Sequence, residues 1–225
     1  MSSPTLTLLI GNRNYSSWSL RAWLLMRQAA IPFEERLVAL GSEAFGREVR
    51  RHSPAGRVPV LVDAGFAVWD TLAIAEYLAE RFPDRGIWPG DAQDRARARS
   101  VCAEMHAGFG ALRSQMPMNI EARLPGRGWN LQVQDDVDRI VEIWSTLRER
   151  HAAGGPFLFG RFCAADAYFA PVVSRFETYA VPTPPPCDAY RQAVLALPAM
   201  RDWTEGALAE RAFLAEDEPY RRSRE

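Results

Sequence analysis

Asn14-Tyr15-Ser16-Ser17-Trp18-Ser19-Leu20-Arg21 follows a short apolar run, Thr5 to Ile10, and a Gly11-Asn12 turn. It opens an amphipathic segment carrying Leu20, Trp23, Leu24, Met26 and Arg27 that continues to Ala30. The local reading is strand, polar turn, helix. The hydroxyls of Ser16, Ser17 and Ser19 then stand at a helix N-terminus. Backbone N–H groups point outward there, and the positive end of the helix dipole favours a bound anion. That anion could be a phosphate, a carboxylate or a thiolate. The alternative is plain capping, for which serine is a preferred residue.

Working outward, residues 1–4 form a leader, and the first helix must end before Pro32. Phe33 to Leu40 reads as a second strand with imperfect alternation. A strand–helix–strand unit of this length makes the two strands parallel. A short helix is expected from Ser42 to Arg51, then turn chemistry at Ser53-Pro54-Ala55-Gly56. Arg57 to Val62, a turn at Asp63-Ala64-Gly65, and Phe66 to Trp69 read as a hairpin. Pro59 cannot donate to a ladder, so it belongs at a strand start or an edge, with either a cis or an ordinary trans bond. Asp70 can cap a helix whose apolar face carries Leu72, Ile74, Ala75, Tyr77, Leu78 and Phe82.

Pro83 to Gly90 reads as a linker, and past it no convincing strand remains. Helical spacing runs from Asp91 to Met116, from Val133 to Leu147, from Ala164 to Tyr179, and through two shorter segments, 188–195 and 198–213. The third of these is apolar nearly all round and should be buried. The expected fold class is α/β followed by all-α. The divisions are a βαβ–ββα domain over 1–82, a linker over 83–90 and an all-helical domain over 91–225.

Composition excludes several classes. The 225 residues and a 48% hydrophobic fraction support a sizeable core, and a net charge of −1 suggests no nucleic-acid or anionic-membrane partner. Arg221-Arg222-Ser223-Arg224 reads as a frayed tail. Cys102, Cys163 and Cys187 are odd in number and far apart, and His52, His106 and His151 lie outside metal-ligand spacing. Neither a disulfide framework nor a metal site is expected. With no secretory signal and no apolar stretch of membrane-spanning length, a cytoplasmic location is the expectation.

Four motifs, in order, resemble the soluble glutathione transferases. Ser16-Ser17-Trp18-Ser19-Leu20-Arg21 resembles the Ser-Ser-Cys-Ser-x-Arg signature of the zeta class, which includes maleylacetoacetate isomerases. Ser53 to Leu61 resembles the segment carrying that family's cis-proline. Asp70 to Leu78 resembles its glutathione-binding helix start, and Phe159 to Asp166 its box before the long buried helix.

The resemblance implies a glutathione site. Thr71 would hold the γ-glutamyl carboxylate and Asp70 the amine. The backbone of Val58, turned by a cis Pro59, would pair with the cysteinyl amide, and Arg57 would meet the glycine carboxylate. The sulfur would then fall near Ser16, the first choice for its contact, or Ser17, the second. A hydroxyl donating to sulfur favours the thiolate. Trp18, Met105, Phe109, Arg113 and Met116 are candidates for the second-substrate pocket, or else plain packing between the two halves. Asp166 reads as a structural cap, and His106 as structural or at the surface.

The implied activity is transfer of the glutathione thiolate to a small electrophile, without metal, in a homodimer. The alternatives are a glutathione-dependent cis–trans isomerase and a non-catalytic glutathione-transferase-like binding protein. Three departures stand out: Trp18 replaces the signature cysteine, Cys163 replaces a capping Ser or Thr, and no arginine of the long helix is readily matched to the isomerase.

Overall fold

The computed structural model describes residues 6–224. The 1–4 leader and Thr5 lie outside the described residues. Four strands form one sheet: β1 (Leu6–Ile10), β2 (Phe33–Leu37), β3 (Val60–Asp63) and β4 (Phe66–Trp69). Their order is β2-β1-β3-β4, with β1 and β2 parallel and the other two pairs antiparallel.

Strand periodicity explains the layering. Leu6, Leu8 and Ile10 of β1 enter the main core, while Leu9 points to the opposite face with Val38, Val49 and Val60. A strand covered on both faces reads as a continuous apolar run, as this one does. The edge strand β2 is mostly exposed and carries Glu34, Glu35 and Arg36. Charges of this kind discourage pairing with another chain. β2 is shorter than the run to Leu40, because the Leu40 N–H turns to Asn12 Oδ1 at 2.8 Å instead of to the sheet.

Three helices join these strands. α1 (Ser17–Gln28) makes the parallel crossover, α2 (Glu43–Arg50) covers the second face, and α3 (Thr71–Arg81) follows β4. Pro59 sits just ahead of β3, where its missing N–H is harmless, and its bond to Val58 is cis. The architecture is thioredoxin-like up to α3.

Six helices follow: α4 (Ala92–Ala107), α5 (Gly110–Gln115), α6 (Leu131–His151), α7 (Ala164–Tyr179), α8 (Pro185–Leu195) and α9 (Pro198–Glu210). The single helix expected from Asp91 to Met116 is in fact α4 and α5. Phe109 breaks it by adopting left-handed backbone at φ 57, and Asp136 of α6 then accepts the Leu112 N–H at 2.8 Å. A cap supplied from a distant helix leaves no local mark in the sequence.

α7 is buried along nearly its whole length and packs against α1 and α4. Trp144 of α6 meets Phe169, Phe176 and Tyr190 in one aromatic cluster, and Trp23 of α1 packs on Trp203 of α9 at 5.2 Å between ring centres. One core therefore runs through both halves. Among the described residues no helix is long and apolar enough to cross a membrane.

The tail is not frayed. Arg221 and Arg224 both bind Glu121, and Arg221 also binds Glu218. The chain after α9 folds back across the turn between β1 and α1.

Candidate functional site

That turn is held tightly. The Tyr15 and Ser16 N–H groups both donate to Asn12 O. Ser16 is the N-cap of α1, with its Oγ accepting from the Ser19 N–H at 3.4 Å. Its hydroxyl donates to Ser19 Oγ at 2.7 Å, and Ser19 Oγ in turn accepts from the Gly11 N–H at 3.0 Å. Ser16, the first choice for a sulfur contact, thus spends its hydroxyl on the cap. Ser17 is the first residue of α1 and is buried, and its hydroxyl bonds to no described residue. The first turn of α1 carries no acidic residue. The dipole end is therefore not neutralised from within.

Both serines line a cleft of about 1010 Å³. Trp18, Arg57, Val58, His106, Arg113 and Arg175 share its walls with the 213–217 segment. An adjoining cleft of about 330 Å³ is lined by Pro59, Asp70 and Thr71 together with Trp18, Arg57, Val58 and His106. Every residue the sequence suggested for glutathione therefore borders one or both of these adjoining clefts.

Asp70 caps α3, accepting the Leu72 N–H at 2.8 Å, and holds φ 73. Positive φ is uncommon outside glycine, and such strain clusters at functional sites. Thr71 is buried at the α3 N-terminus, and its Oγ1 accepts from the Tyr168 hydroxyl at 2.9 Å, which leaves its own O–H free to donate. Arg57 is exposed at the rim shared by both clefts.

Tyr15 also reaches this cleft, but its hydroxyl donates to Glu218 at 2.7 Å. Burial, then that hydrogen bond, pushes it up to about 12. It is neutral at ordinary pH and turned away as a donor. The three cysteines are buried, and none lines either cleft. A thiol at the serines must arrive with a ligand.

The second-substrate candidates divide. Trp18 is half-buried and lies on both clefts; Arg113 lines the larger one. Met105 and Phe109 line neither: both are buried in the core, as is Met116, while its neighbours Pro117 and Met118 do reach the cleft. Helical spacing identified their buried face correctly but could not tell packing from a cavity wall.

The cleft also collects residues the sequence left aside. His106 bridges the two clefts, with Nε2 3.3 Å from Asp70 Oδ2 and its ring edge against Trp18. Arg175, on the otherwise apolar α7, is 3% exposed. It donates Nε to Met116 O at 2.9 Å and Nη1 to Pro171 O at 3.4 Å, both neutral acceptors. Burial first, then the charge of Arg21, pushes it down to about 9. Arg21 stacks over Trp18 at 4.0 Å and Arg113 lies 5.6 Å from the same ring. Burial pushes Arg21 down to about 10. A buried arginine in an apolar helix was a signal worth following, since arginine is rarely buried unless paired.

Residues 15–81 match the family described as glutathione S-transferase, N-terminal domain. The protein is 40% identical over 75 residues to a dichloromethane dehalogenase from Methylorubrum extorquens, covering 32% of this chain and 26% of that one. It is 33% identical over 97 residues to a probable maleylacetoacetate isomerase from Caenorhabditis elegans, covering 43% of this chain and 44% of the other. The chain thus spans about a quarter and under a half of these relatives' lengths. A glutathione transferase homolog from Burkholderia GL BGR1, crystallised with bound glutathione, has the same fold. It superposes with a TM-score of 0.69 at 24% identity, over 91% of this chain and 98% of that one. The thioredoxin-like half followed by a helical half is therefore the glutathione-transferase architecture.

Proposed function

We propose that this protein is a glutathione transferase that activates the glutathione thiol at the N-terminus of α1. The observation that carries the reading is Ser17. Its hydroxyl has no partner among the described residues, at a helix start without an acidic residue, in a cleft that also holds Arg57 and Val58 and adjoins the one holding Asp70 and Thr71. Asp70 and Thr71 would take the γ-glutamyl end, the Val58 backbone the cysteinyl amide and Arg57 the glycine carboxylate. The thiol would lose its proton to solvent through the open cleft. Ser17 would donate to the resulting thiolate, with Ser16 holding the helix start in place. The thiolate attacks carbon, forming an S–C bond as the leaving group departs with its electron pair. A cytoplasmic homodimer with glutathione as co-substrate and no metal completes the proposal.

A second reading has its own support. Arg113 and Arg175 line the cleft without a carboxylate partner among the described residues, which favours an acidic co-substrate. Thiolate addition to a conjugated double bond, rotation about the resulting single bond and expulsion of the thiolate would then give cis–trans isomerisation. Glu216 and Asp217 also line the cleft, so the anion would be drawn to the arginines and away from these carboxylates.

The test is an ultraviolet difference titration of bound glutathione against pH, for the native protein and Ser17→Ala. The expected result is a bound thiol below its free value of about 8.5 that rises by about one to two units in the variant, with binding retained. No binding by the native protein would leave only a scaffold with this fold.

A further inference from the structure

Two carboxylates from the C-terminal end of the chain hold the turn that carries the serines. Glu210, at the end of α9, accepts from the Arg13 N–H at 3.0 Å and from Asn12 Nδ2 at 3.1 Å. Glu218 lies beyond α9 and is only 4% exposed. Its Oε1 accepts from the Tyr15 hydroxyl at 2.7 Å and from Asn119 Nδ2 at 2.8 Å, while Oε2 accepts from Arg221 Nε at 2.9 Å. Asn119 Oδ1 in turn accepts from Asn14 Nδ2 at 3.1 Å, and Asn14 Oδ1 accepts from the Glu121 N–H at 2.9 Å. Glu121 binds Arg221 and Arg224, closing the network.

Three separate parts of the chain therefore converge on one buried carboxylate: the residue directly before Ser16, the 119–121 segment and the C-terminal strap. The strap residues just ahead of Glu218, from Phe213 to Asp217, line the larger cleft, and the Leu214 N–H donates to the Tyr15 hydroxyl at 3.4 Å. Glu218 therefore ties the serine turn to a segment that lines the same cleft. Buried networks of this kind are rigid when every member is satisfied and costly to break in part.

We infer that Glu218 is a positioning residue for thiol activation, acting through the Tyr15 hydroxyl to hold Ser16 and Ser17 at the cleft. The inference rests on the glutathione reading for its kinetic consequence, but not for its structural one. Removing the carboxylate leaves the tyrosine hydroxyl only its longer contact to Ala212 O at 3.3 Å, and the turn relaxes. A displacement well under one residue length is enough to lower reactivity, because the hydroxyl must meet the sulfur in bonding geometry.

The experiment compares Glu218→Ala, Glu218→Gln and Tyr15→Phe with the native protein by two readouts. The first is the pH titration of bound glutathione. Glu218→Ala should raise the thiol pKa by about one unit and lower kcat by about tenfold, with KM for glutathione little changed. Tyr15→Phe should do the same, and the double variant no more than either. Glutamine keeps a carbonyl acceptor for Tyr15 and should restore part of the loss. The second readout is amide hydrogen exchange of the ligand-free protein, in which residues 15–18 should exchange faster in Glu218→Ala. A lower melting temperature with unchanged exchange at 15–18 and an unchanged thiol pKa would overturn the inference. Should the native protein bind no glutathione, the activity reading fails and the exchange experiment alone decides the role of Glu218. Should Glu218→Ala not fold, Tyr15→Phe, which removes one oxygen, carries both readouts.

Discussion

Two helix starts in this molecule are built alike and finished differently. At the start of α7, Asp166 is fully buried and closes the end itself. Its carboxylate accepts the Leu158 N–H at 3.0 Å and the Cys163 N–H at 2.8 Å. At the start of α1 there is no acidic residue, Ser16 caps with a hydroxyl, and Ser17 lines a cleft with a hydroxyl that has no partner among the described residues. An N-terminus satisfied by its own carboxylate is an anchor. One satisfied only by neutral groups keeps its attraction for an anion from outside. The arginines sharpen the contrast, since Arg57, Arg113 and Arg175 line the cleft before α1.

The largest expected effect is at the closed end. Asp166→Ala strands two buried N–H groups and should cost about 3 kcal/mol of stability, read by chemical denaturation, while protein that remains folded still lowers the thiol pKa. Burial pushes Asp166 up to about 6, outweighing the lowering by the Leu158 and Cys163 N–H groups. A raised folded-state value means the folded protein binds that proton more tightly. Stability from this group therefore rises as pH falls through 6 and levels off near the ordinary carboxylate value of about 3.9. Asp166→Asn should flatten that slope. Loss of thiolate formation in folded Asp166→Ala would break the comparison, because the α7 start would then serve the site directly.

The same contrast explains what the sequence revealed. The βαβ unit, the hairpin and α7 were legible because each rests on local signals: period-2 or helical spacing, Asp63-Ala64-Gly65 in the turn, and Pro32 as a stop. Ser16, Ser17, Pro59, Asp70 and Thr71 were singled out because they fall in short motifs that resemble those of the glutathione transferases, and they line two adjoining clefts. What failed was long-range. The split between α4 and α5 depends on Asp136, 24 residues from the N–H it accepts. The tail Arg221 and Arg224 looked solvated because their partner Glu121 lies 100 or more residues away. Met105 and Phe109 lie on the buried face that their spacing indicates, but whether a buried face meets protein or a cavity depends on what folds over it.

The smallest effect separates the two serines. Ser16 accepts a long bond from the Ser19 N–H and donates a short one to Ser19 Oγ, so Ser16→Ala should cost about 1 kcal/mol, the ordinary value of an N-cap. Ser19 Oγ keeps the Gly11 N–H, so the β1–α1 junction should survive the change. With Ser17 still present, the thiol of bound glutathione should stay well below its free value. The paired measurement, stability and thiol pKa for Ser16→Ala beside Ser17→Ala, sharpens the division between an end that caps and an end that binds. If Ser16→Ala abolishes the thiolate and Ser17→Ala does not, the two roles are exchanged. The hydroxyl that donates to Ser19 must then rotate toward sulfur when the ligand binds. That rotation would release Ser19 Oγ and should appear as faster exchange of the Ser19 amide in the bound state only.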